Sequence, residues 1–214
     1  MSQVQRHFDT IASDYDAYKQ KNWFYYTRLQ KLLARLISPN RSVLEVGCGT
    51  GDLLEHLQPK YGCGMDISPL MVRVAKAKYP HLKFSTSFPK DKFDYIFMSD
   101  VIEHLINPLS IFTKISRLMT KHTVFVCTMA NPIWEPALVV AEKLGLKMPE
   151  GPHHRWSTRQ VVHMLQAAGL RLIDHDYVLL VPVPLPFVTE FANKYLEPFL
   201  KPLAFIEYFV ATKL

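Results

Sequence analysis

Three glycines lie within five residues of the sequence, in Val43-Leu44-Glu45-Val46-Gly47-Cys48-Gly49-Thr50-Gly51. A run with β-branched residues precedes them, and residues 52–55 follow with helical spacing, so the sequence predicts a strand, a glycine turn and a helix. A dinucleotide-binding loop has the spacing G-x-G-x-x-G, which would require glycine at residue 52. Asp52 stands there, and its charge would repel a pyrophosphate. The spacing therefore favours a ligand without phosphate that carries positive groups, next to the carboxylate of Glu45.

A second carboxylate, Asp66, closes the next predicted strand at residues 61–66. An acidic residue in this place can accept hydrogen bonds from both hydroxyls of a ribose. Glycines and two carboxylates suit a nucleoside with a cationic tail, which is the chemistry of S-adenosylmethionine. At these residues the chain resembles the class I S-adenosylmethionine-dependent methyltransferases, since Glu45 to Gly51 and Asp66 match the first two motifs of that family.

The resemblance covers about residues 8–175 and a final strand. It includes Phe8-Asp9-Thr10-Ile11-Ala12, the pair Tyr15-Asp16, and residues 93–105, which match the family's fourth strand and the turn after it. It implies S-adenosylmethionine as cofactor, with S-adenosylhomocysteine as product, in a single domain over residues 1–214. The cofactor contacts that the resemblance implies are Tyr15, Glu45, Gly47, Cys48, Gly49, Gly51, Asp66, Ile67, Met71, Ser99, Asp100, Val101 and His104.

The third predicted strand departs from the family pattern. An acidic residue near the adenine is common in the family, but this chain has Phe84-Ser85-Thr86-Ser87-Phe88. We expect Thr86 and Ser87 to contact the adenine edge instead, through a hydroxyl or the backbone.

Methyl transfer depends on alignment of the acceptor, with an optional general base. His104 is one candidate base, because residues 100, 103 and 104 would share one face of a helical turn. The alternatives are a structural histidine bonded to backbone and a divalent ion held by this trio, as in the metal-dependent quinone-biosynthesis methyltransferases that resemble the segment. We predict no metal. His153 is a second candidate base, against the alternative of an ordinary polar loop.

Strands alternate with helical patterns along the chain. A helix is predicted over residues 22–37, and Ser68-Pro69, Asn107-Pro108 and the capping box at 157–160 are helix starts. This alternation predicts a doubly wound, Rossmann-like α/β fold with helices on both faces of a mostly parallel sheet. The resemblance implies seven strands, with the last one antiparallel. The strands are predicted at 42–47, 61–66, 83–87, 93–99, 123–129, 171–180 and 205–212.

Three regions lie outside this core: an N-terminal helical cap at about 1–40 and substrate-recognition inserts at about 131–156 and 181–204. Trp134 and Trp156 could line an acceptor pocket or pack in the core. The second insert contains five prolines, and its start, residues 181–187, is apolar and excluded from a regular helix or central strand. Such an arm predicts a hydrophobic or lipid-like acceptor, with oxygen favoured as the methylated atom, or contact with a membrane surface. An ordinary lid packed on the domain is the alternative.

Three other functions compete with a small-molecule methyltransferase, one of them a non-catalytic member of the fold, which the intact Glu45–Gly51 segment argues against. A nucleic-acid methyltransferase is suggested by the net charge of +6 and by residues 131–134, which are similar to the Asn-Pro-Pro-Tyr motif of amino-group methylases. That motif follows strand four, however, whereas residues 131–134 follow strand five, and no run of five basic residues exists. Asp52 argues against a nicotinamide-dependent Rossmann oxidoreductase, because its charge would repel the pyrophosphate of the dinucleotide.

The composition predicts a cytoplasmic protein with peripheral membrane contact as an option. Residues 1–7 carry no apolar signal segment, and no stretch of 18 apolar residues exists. The three cysteines, Cys48, Cys63 and Cys127, lack metal-binding spacing and are expected to be buried free thiols in a reducing compartment.

Overall fold

A single seven-stranded sheet organises the computed structural model, which describes residues 2–149 and 151–214. Met1 and Glu150, which fall within the predicted cap and first insert, lie outside the described residues. The strands follow the order β3-β2-β1-β4-β5-β7-β6. They are β1 (Ser42–Val46), β2 (Tyr61–Met65), β3 (Lys83–Ser85), β4 (Tyr95–Ser99), β5 (Val124–Ala130), β6 (Leu170–Val178) and β7 (Ile206–Lys213).

The strand directions confirm the predicted fold class. Strands β1 to β5 pair in parallel, and β7 pairs antiparallel with both β5 and β6. The chain runs outward from β1 to β3 and then crosses back to β4, so the strand order reverses between β1 and β4. In open sheets of this kind the ligand crevice lies at the carboxyl ends of the two strands that flank the reversal.

The helices begin where the sequence provides caps. Ser68 and Asn107 each accept a hydrogen bond from the backbone N–H three residues later (3.1 Å in both cases), and Ser157 forms the predicted capping box with Gln160. The helices are α1 (Gln3–Ile11), α2 (Tyr15–Lys21), α3 (Trp23–Leu36), α4 (Asp52–His56), α5 (Pro69–Lys78), α6 (Pro108–Leu118), α7 (Glu135–Lys143), α8 (Thr158–Ala167), α9 (Val188–Phe191) and α10 (Glu197–Leu200). None of the helices described is long and apolar enough to cross a membrane.

Both faces of the sheet are covered, as predicted. Leu33 of α3 and Val72 of α5 belong to one buried cluster with Phe97, whereas Phe112 of α6 and Leu165 of α8 belong to the other. The three cysteines are buried and free, as expected from the sequence.

The two inserts are joined to each other beside the sheet. The first contains α7, and the second contains α9 and α10. The indole Nε1 of Trp134 donates to the carbonyl oxygen of Leu203 (2.9 Å), and the Asn131 amide donates to the carbonyl oxygens of Pro202 and Ala204 (2.9 Å each). The start of α7 is therefore fixed to the end of the second insert.

Candidate functional site

A cavity of about 740 Å³ lies at the carboxyl ends of β1, β2 and β4. Residues 45–49, 65–67 and 99–101, which end these three strands, form its floor. Helices α2 and α3 of the N-terminal cap form one wall, and α7 forms another. The cavity therefore occupies the crevice expected from the strand order.

Two glycines of the loop after β1 line this cavity in conformations that favour glycine. Gly47 has φ +79°, and a Cβ atom there would lie 2.3 Å from Cγ2 of Val101. Gly49 has φ +50°, and its Cβ would lie 3.0 Å from the Tyr15 ring. Gly51 has φ +85° but does not line the cavity, because its open side faces the ring of Phe84 (2.7 Å). The loop therefore needs Gly51 for packing, and the lining of the cavity does not support its predicted cofactor contact.

Two buried carboxylates stand in the cavity wall. Glu45 accepts a hydrogen bond from the Leu54 backbone N–H (3.2 Å), and Asp66 accepts from the N–H groups of Gly49 and Ser68 (2.8 Å each). Burial raises the pKa of Glu45 well above its usual value, although the Lys19 charge and the Leu54 N–H oppose the shift. Burial also raises the pKa of Asp66, against the hydrogen bonds from Ser68 and Gly49. Both acids are therefore suited to a ligand that brings positive charge or hydroxyl donors.

The end of β4 contributes a third acid and a tyrosine partner. Asp100 has φ +53°, and the Tyr25 hydroxyl donates to its Oδ2 atom (2.6 Å). Burial, followed by the Asp100 charge, raises the pKa of Tyr25 well above its usual value, so this phenol is protonated at neutral pH. Tyr25 and Tyr26 both line the cavity, and the sequence did not predict either. The only signal was their place on an amphipathic helix, where aromatic core residues look the same.

Helix α2 is tied to the glycine loop by a cluster of charges that we call the α2 clasp, formed by Asp16, Lys19, Thr50, Asp52 and Lys78. Lys19 donates to the Thr50 hydroxyl (2.6 Å) and pairs with Asp52, and Lys78 pairs with Asp16 (2.5 Å) and Asp52 (2.6 Å). Burial opposes ionisation of Asp52, but the Lys19 charge and hydrogen bonds from both lysines hold its pKa well below the usual range. The clasp therefore holds the cap over the site.

Most predicted cofactor contacts do line the cavity. They are Tyr15, Glu45, Gly47, Cys48, Gly49, Asp66, Ile67, Ser99, Asp100, Val101 and His104. Met71 does not, because its side chain is fully buried in a small cluster with Ile11 and Ala12. Thr86 and Ser87 also lie outside it.

The position of Thr86 and Ser87 follows from the early end of the third strand. The Ser85 hydroxyl accepts a hydrogen bond from the Ser87 N–H (3.1 Å), and this local turn ends β3 two residues before the predicted limit. Thr86 and Ser87 are consequently exposed. Phe88 lines the cavity in their place.

The two candidate bases lie in different surroundings. His104 lines the cavity, and its Nδ1 atom is 3.2 Å from the carbonyl oxygen of Pro152. Because a carbonyl can only accept, Nδ1 carries the proton in the neutral ring and Nε2 is the basic nitrogen. His153 does not line the cavity, since its ring lies between Glu135 Oε1 (3.1 Å) and the Gly151 carbonyl (3.0 Å). The geometry therefore opposes the prediction that His153 acts as a base.

The two tryptophans proposed for an acceptor pocket also lie in different surroundings. Trp134 lines the cavity, whereas Trp156 packs on the core and donates to the Ile102 carbonyl (3.1 Å).

Within residues 2–149 and 151–214, no group of three or more His, Cys, Asp or Glu side chains is arranged to hold a metal ion.

Apolar side chains form another part of the cavity lining. Ala137, Leu138 and Ala141 of α7 belong to it, together with Val183 from the second insert and Phe205 before β7. The lining thus combines carboxylates and glycines at the strand ends with aliphatic and aromatic side chains from α7 and the second insert.

The chain is similar to several methyltransferases. A malonyl-[acyl-carrier protein] O-methyltransferase of Marinomonas sp. (strain MWYL1) is 26% identical over 186 residues, which are 80% of this chain and 67% of that protein. A ubiquinone biosynthesis O-methyltransferase of Xanthomonas campestris pv. campestris is 26% identical over 72% of this chain and 73% of its own length. Among solved structures, a SAM-dependent methyltransferase from Thermotoga maritima superposes with a TM-score of 0.72 at 15% identity, covering 99% of this chain and 100% of that one.

The Rossmann-like sheet has a crevice at the carboxyl ends of its strands, and the buried carboxylates there suit a nucleoside-type cofactor. The family model described as "Methyltransferase domain" matches residues 15–175, so this chain belongs to the class I S-adenosylmethionine-dependent methyltransferases. Its cofactor is S-adenosylmethionine. The donor set fits this molecule, because two buried carboxylates lie beside an apolar surface formed by Ile67 and Phe88.

Proposed function

We propose that the enzyme methylates a hydroxyl oxygen of a small, mainly apolar acceptor. The observation that carries this proposal is the mixed lining of the cavity, with carboxylates beside the glycine loop and apolar side chains from α7 and the second insert. The names of the two relatives, both O-methyltransferases, support oxygen as the methylated atom. An apolar wall also suits a small acceptor better than a nucleic acid, which needs a basic groove.

We assign the cofactor end to the strand ends and the acceptor end to the inserts. Glu45 would face the cationic methionine part, Asp66 the ribose hydroxyls, and Ile67, Phe88 and Val101 the adenine. Gly47, Cys48, Gly49, Ser99 and Asp100 complete this surface, and Tyr15 covers it from the cap. In the same proposal, residues 1–214 form one domain, with the cap at about 1–40 and the recognition inserts at about 131–156 and 181–204.

When bound, the cofactor supplies a methyl group on a sulfonium sulfur. The neutral thioether that remains after transfer is a good leaving group. The protein must align the acceptor oxygen with that methyl and exclude water. Nε2 of His104 would accept the hydroxyl proton as the oxygen attacks, while the Pro152 carbonyl holds the ring tautomer through Nδ1. The Tyr25–Asp100 pair would provide a polar contact next to the acceptor.

A labelled-methyl assay tests the acceptor class. The purified protein is incubated with S-adenosylmethionine carrying an isotopic methyl group and with phenols and long-chain hydroxy compounds, and the products are identified by mass spectrometry. We expect a methyl ether of an apolar hydroxy compound. Label found only on amines would disprove oxygen specificity, and label found only on RNA or DNA would disprove the small-molecule proposal.

An acceptor of this type partitions into lipid, so the proposed function is compatible with the membrane contact that the sequence predicts for residues 181–204.

A further inference from the structure

Helix α7 is apolar on both of its sides. Ala137, Leu138 and Ala141 face the cavity, whereas Val139 and Val140 are exposed on the outside. No residue of α7 is fully buried. The charged residues of α7 are confined to its ends, at Glu135, Glu142 and Lys143, and the six residues between them are apolar. Exposed apolar side chains that form a continuous patch are normally covered by a partner or by lipid. The exposed side of α7 therefore has the composition of a surface that another phase or molecule covers.

The second insert continues this surface with aromatic side chains. Phe187 is 93% exposed and Phe199 is 84% exposed. Phe187 stands at the tip of a turn, with φ +61°, between a proline-rich stretch and α9. We call the combined surface the apolar rim, and its exposed side chains are Val139, Val140, Leu144, Leu146, Val183, Leu185, Phe187, Val188, Phe191, Tyr195, Leu196, Phe199, Leu200 and Leu203.

The two parts of the apolar rim form one unit. The hydrogen bonds from Trp134 and Asn131 to residues 202–204 connect the start of α7 to the end of the second insert. Leu146 from the first part and Val183 from the second also line the cavity. The apolar rim therefore continues into the apolar part of the cavity lining.

The charges around the apolar rim favour an anionic partner. Glu190 is paired with Arg28, and Glu197 accepts the backbone N–H groups of Leu179 and Leu180 (2.7 and 3.1 Å). Lys143 and Lys194 are exposed beside the apolar side chains. The chain as a whole carries a net charge of +6, which attracts it to negatively charged surfaces.

We propose that the apolar rim docks on a lipid bilayer that contains anionic headgroups. Protruding aromatic side chains flanked by lysines are the elements that insert at the membrane interface. Because the rim and the cavity share Leu146 and Val183, an apolar acceptor can pass from the bilayer into the cavity without crossing water. This passage rests on the proposed function, whereas docking itself does not depend on the acceptor.

Vesicle co-sedimentation tests the docking. The probes are phosphatidylcholine vesicles and phosphatidylcholine vesicles that contain phosphatidylglycerol. Wild type is compared with the double variant Phe187→Ser/Phe199→Ser and with the control Leu214→Ser, which removes a side chain that is 77% exposed. Leu214 follows β7, about 25 Å along the strand from the end of the rim. Wild type, the double variant and the control are also checked for binding of S-adenosylhomocysteine. This binding should be unchanged, because Phe187, Phe199 and Leu214 do not line the cavity.

We expect wild type and Leu214→Ser to bind both kinds of vesicle, more strongly when phosphatidylglycerol is present. The double variant should bind at least roughly tenfold more weakly, because each inserted phenylalanine buries a large apolar area. No sedimentation of the wild type would overturn the proposal, as would equal binding by the double variant. A wild-type dimer that the double variant converts to a monomer, with no vesicle binding, would instead assign the rim to a second copy of the chain.

Docking and the acceptor class are tested by separate measurements. Methyl transfer to a short, water-soluble phenol is measured without vesicles and does not involve the apolar rim. Transfer without vesicle binding would overturn docking alone, and vesicle binding without transfer to any hydroxy compound would overturn the acceptor class alone.

Discussion

The two ends of the cavity are built in different ways. At the cofactor end, Glu45 and Asp66 are buried and accept hydrogen bonds from backbone N–H groups of nearby loops. At the acceptor end, α7 has no buried residue, and the second insert exposes Phe187 and Phe199. The cofactor end is therefore complete within the described chain, whereas the acceptor end has the character of a surface that needs a partner. This difference predicts that substitutions at the two ends will affect different measurements.

The largest effect is expected at the glycine loop. In Gly47→Val the new Cβ would lie 2.3 Å from Val101 in a left-handed backbone conformation, so the loop must move. Overpacking and left-handed strain together cost about 2–5 kcal/mol. We expect calorimetry to show roughly 30- to 4,000-fold weaker binding of S-adenosylhomocysteine.

Gly145→Val is the matched control for this change. Gly145 also has a positive φ (+68°), but a Cβ atom there meets nothing within 4 Å. The two variants thus carry similar backbone strain, but only the valine at position 47 would clash with a neighbouring side chain. Gly145→Val should bind S-adenosylhomocysteine like wild type, and an equal affinity of Gly47→Val would show that the space beside Gly47 is not needed for cofactor binding.

Substitution of the proposed base at the acceptor end should lower the rate of turnover. We expect His104→Asn to lower kcat by about 100-fold or more, because a general base contributes on this scale. The affinity for S-adenosylhomocysteine should change much less. His154→Asn is the control, since this neighbouring histidine is exposed and does not line the cavity. Full turnover by His104→Asn would remove His104 as the base.

An intermediate effect is expected for Asp66→Asn. Loss of a charge-assisted hydrogen-bond partner of the ribose should weaken cofactor binding by about 1–3 kcal/mol, which is roughly 5- to 150-fold. Asp94→Asn is the control, because Asp94 also accepts a backbone N–H, from Ser42 (2.9 Å), just before β4 and therefore at the opposite end of the sheet. It should lower stability and leave affinity unchanged. The same affinity in wild type and Asp66→Asn would place Asp66 outside the site.

The smallest effect is expected from pH. Burial raises the pKa of Glu45 in the free protein, and a cationic ligand must lower it again, so binding releases a proton. The affinity for S-adenosylmethionine should therefore rise by roughly a few-fold as pH increases through that raised pKa. Glu45→Gln should bind more weakly, with a flatter pH profile. A wild-type affinity that falls with rising pH would contradict the ionised role of Glu45.

The sequence predicted the cofactor end well because local patterns encode it. The glycine spacing, the acid at the end of β2 and the caps at Ser68 and Asn107 are each set by a few neighbouring residues. Gly51 shows the limit of such patterns, since its need for glycine comes from Phe84, which is distant in sequence. Thr86 and Ser87 lie outside the cavity because a single serine hydroxyl ends β3 early.

The acceptor end was less predictable because tertiary contacts create it. Tyr25 meets Asp100 across 75 positions of sequence, and no local pattern distinguishes that tyrosine from a core residue. His153 was proposed as a base from its position near the site, but its ring lies beside Glu135. The aromatic residues of the second insert were visible in the sequence. The connection between the second insert and α7 was not visible in the sequence. It depends on hydrogen bonds from Asn131 and Trp134 to residues 202–204.

The α2 clasp has a consequence for the timing of the catalytic cycle. Tyr15 lies over Gly49, and its helix is bound to the loop by Lys19 and by the bridge of Lys78 between Asp16 and Asp52. We expect these ion pairs to slow the release of spent cofactor past the cap, because helix α2 must move before Tyr15 can uncover Gly49. Because ions in solution weaken such pairs, added salt should shorten the residence time of S-adenosylhomocysteine.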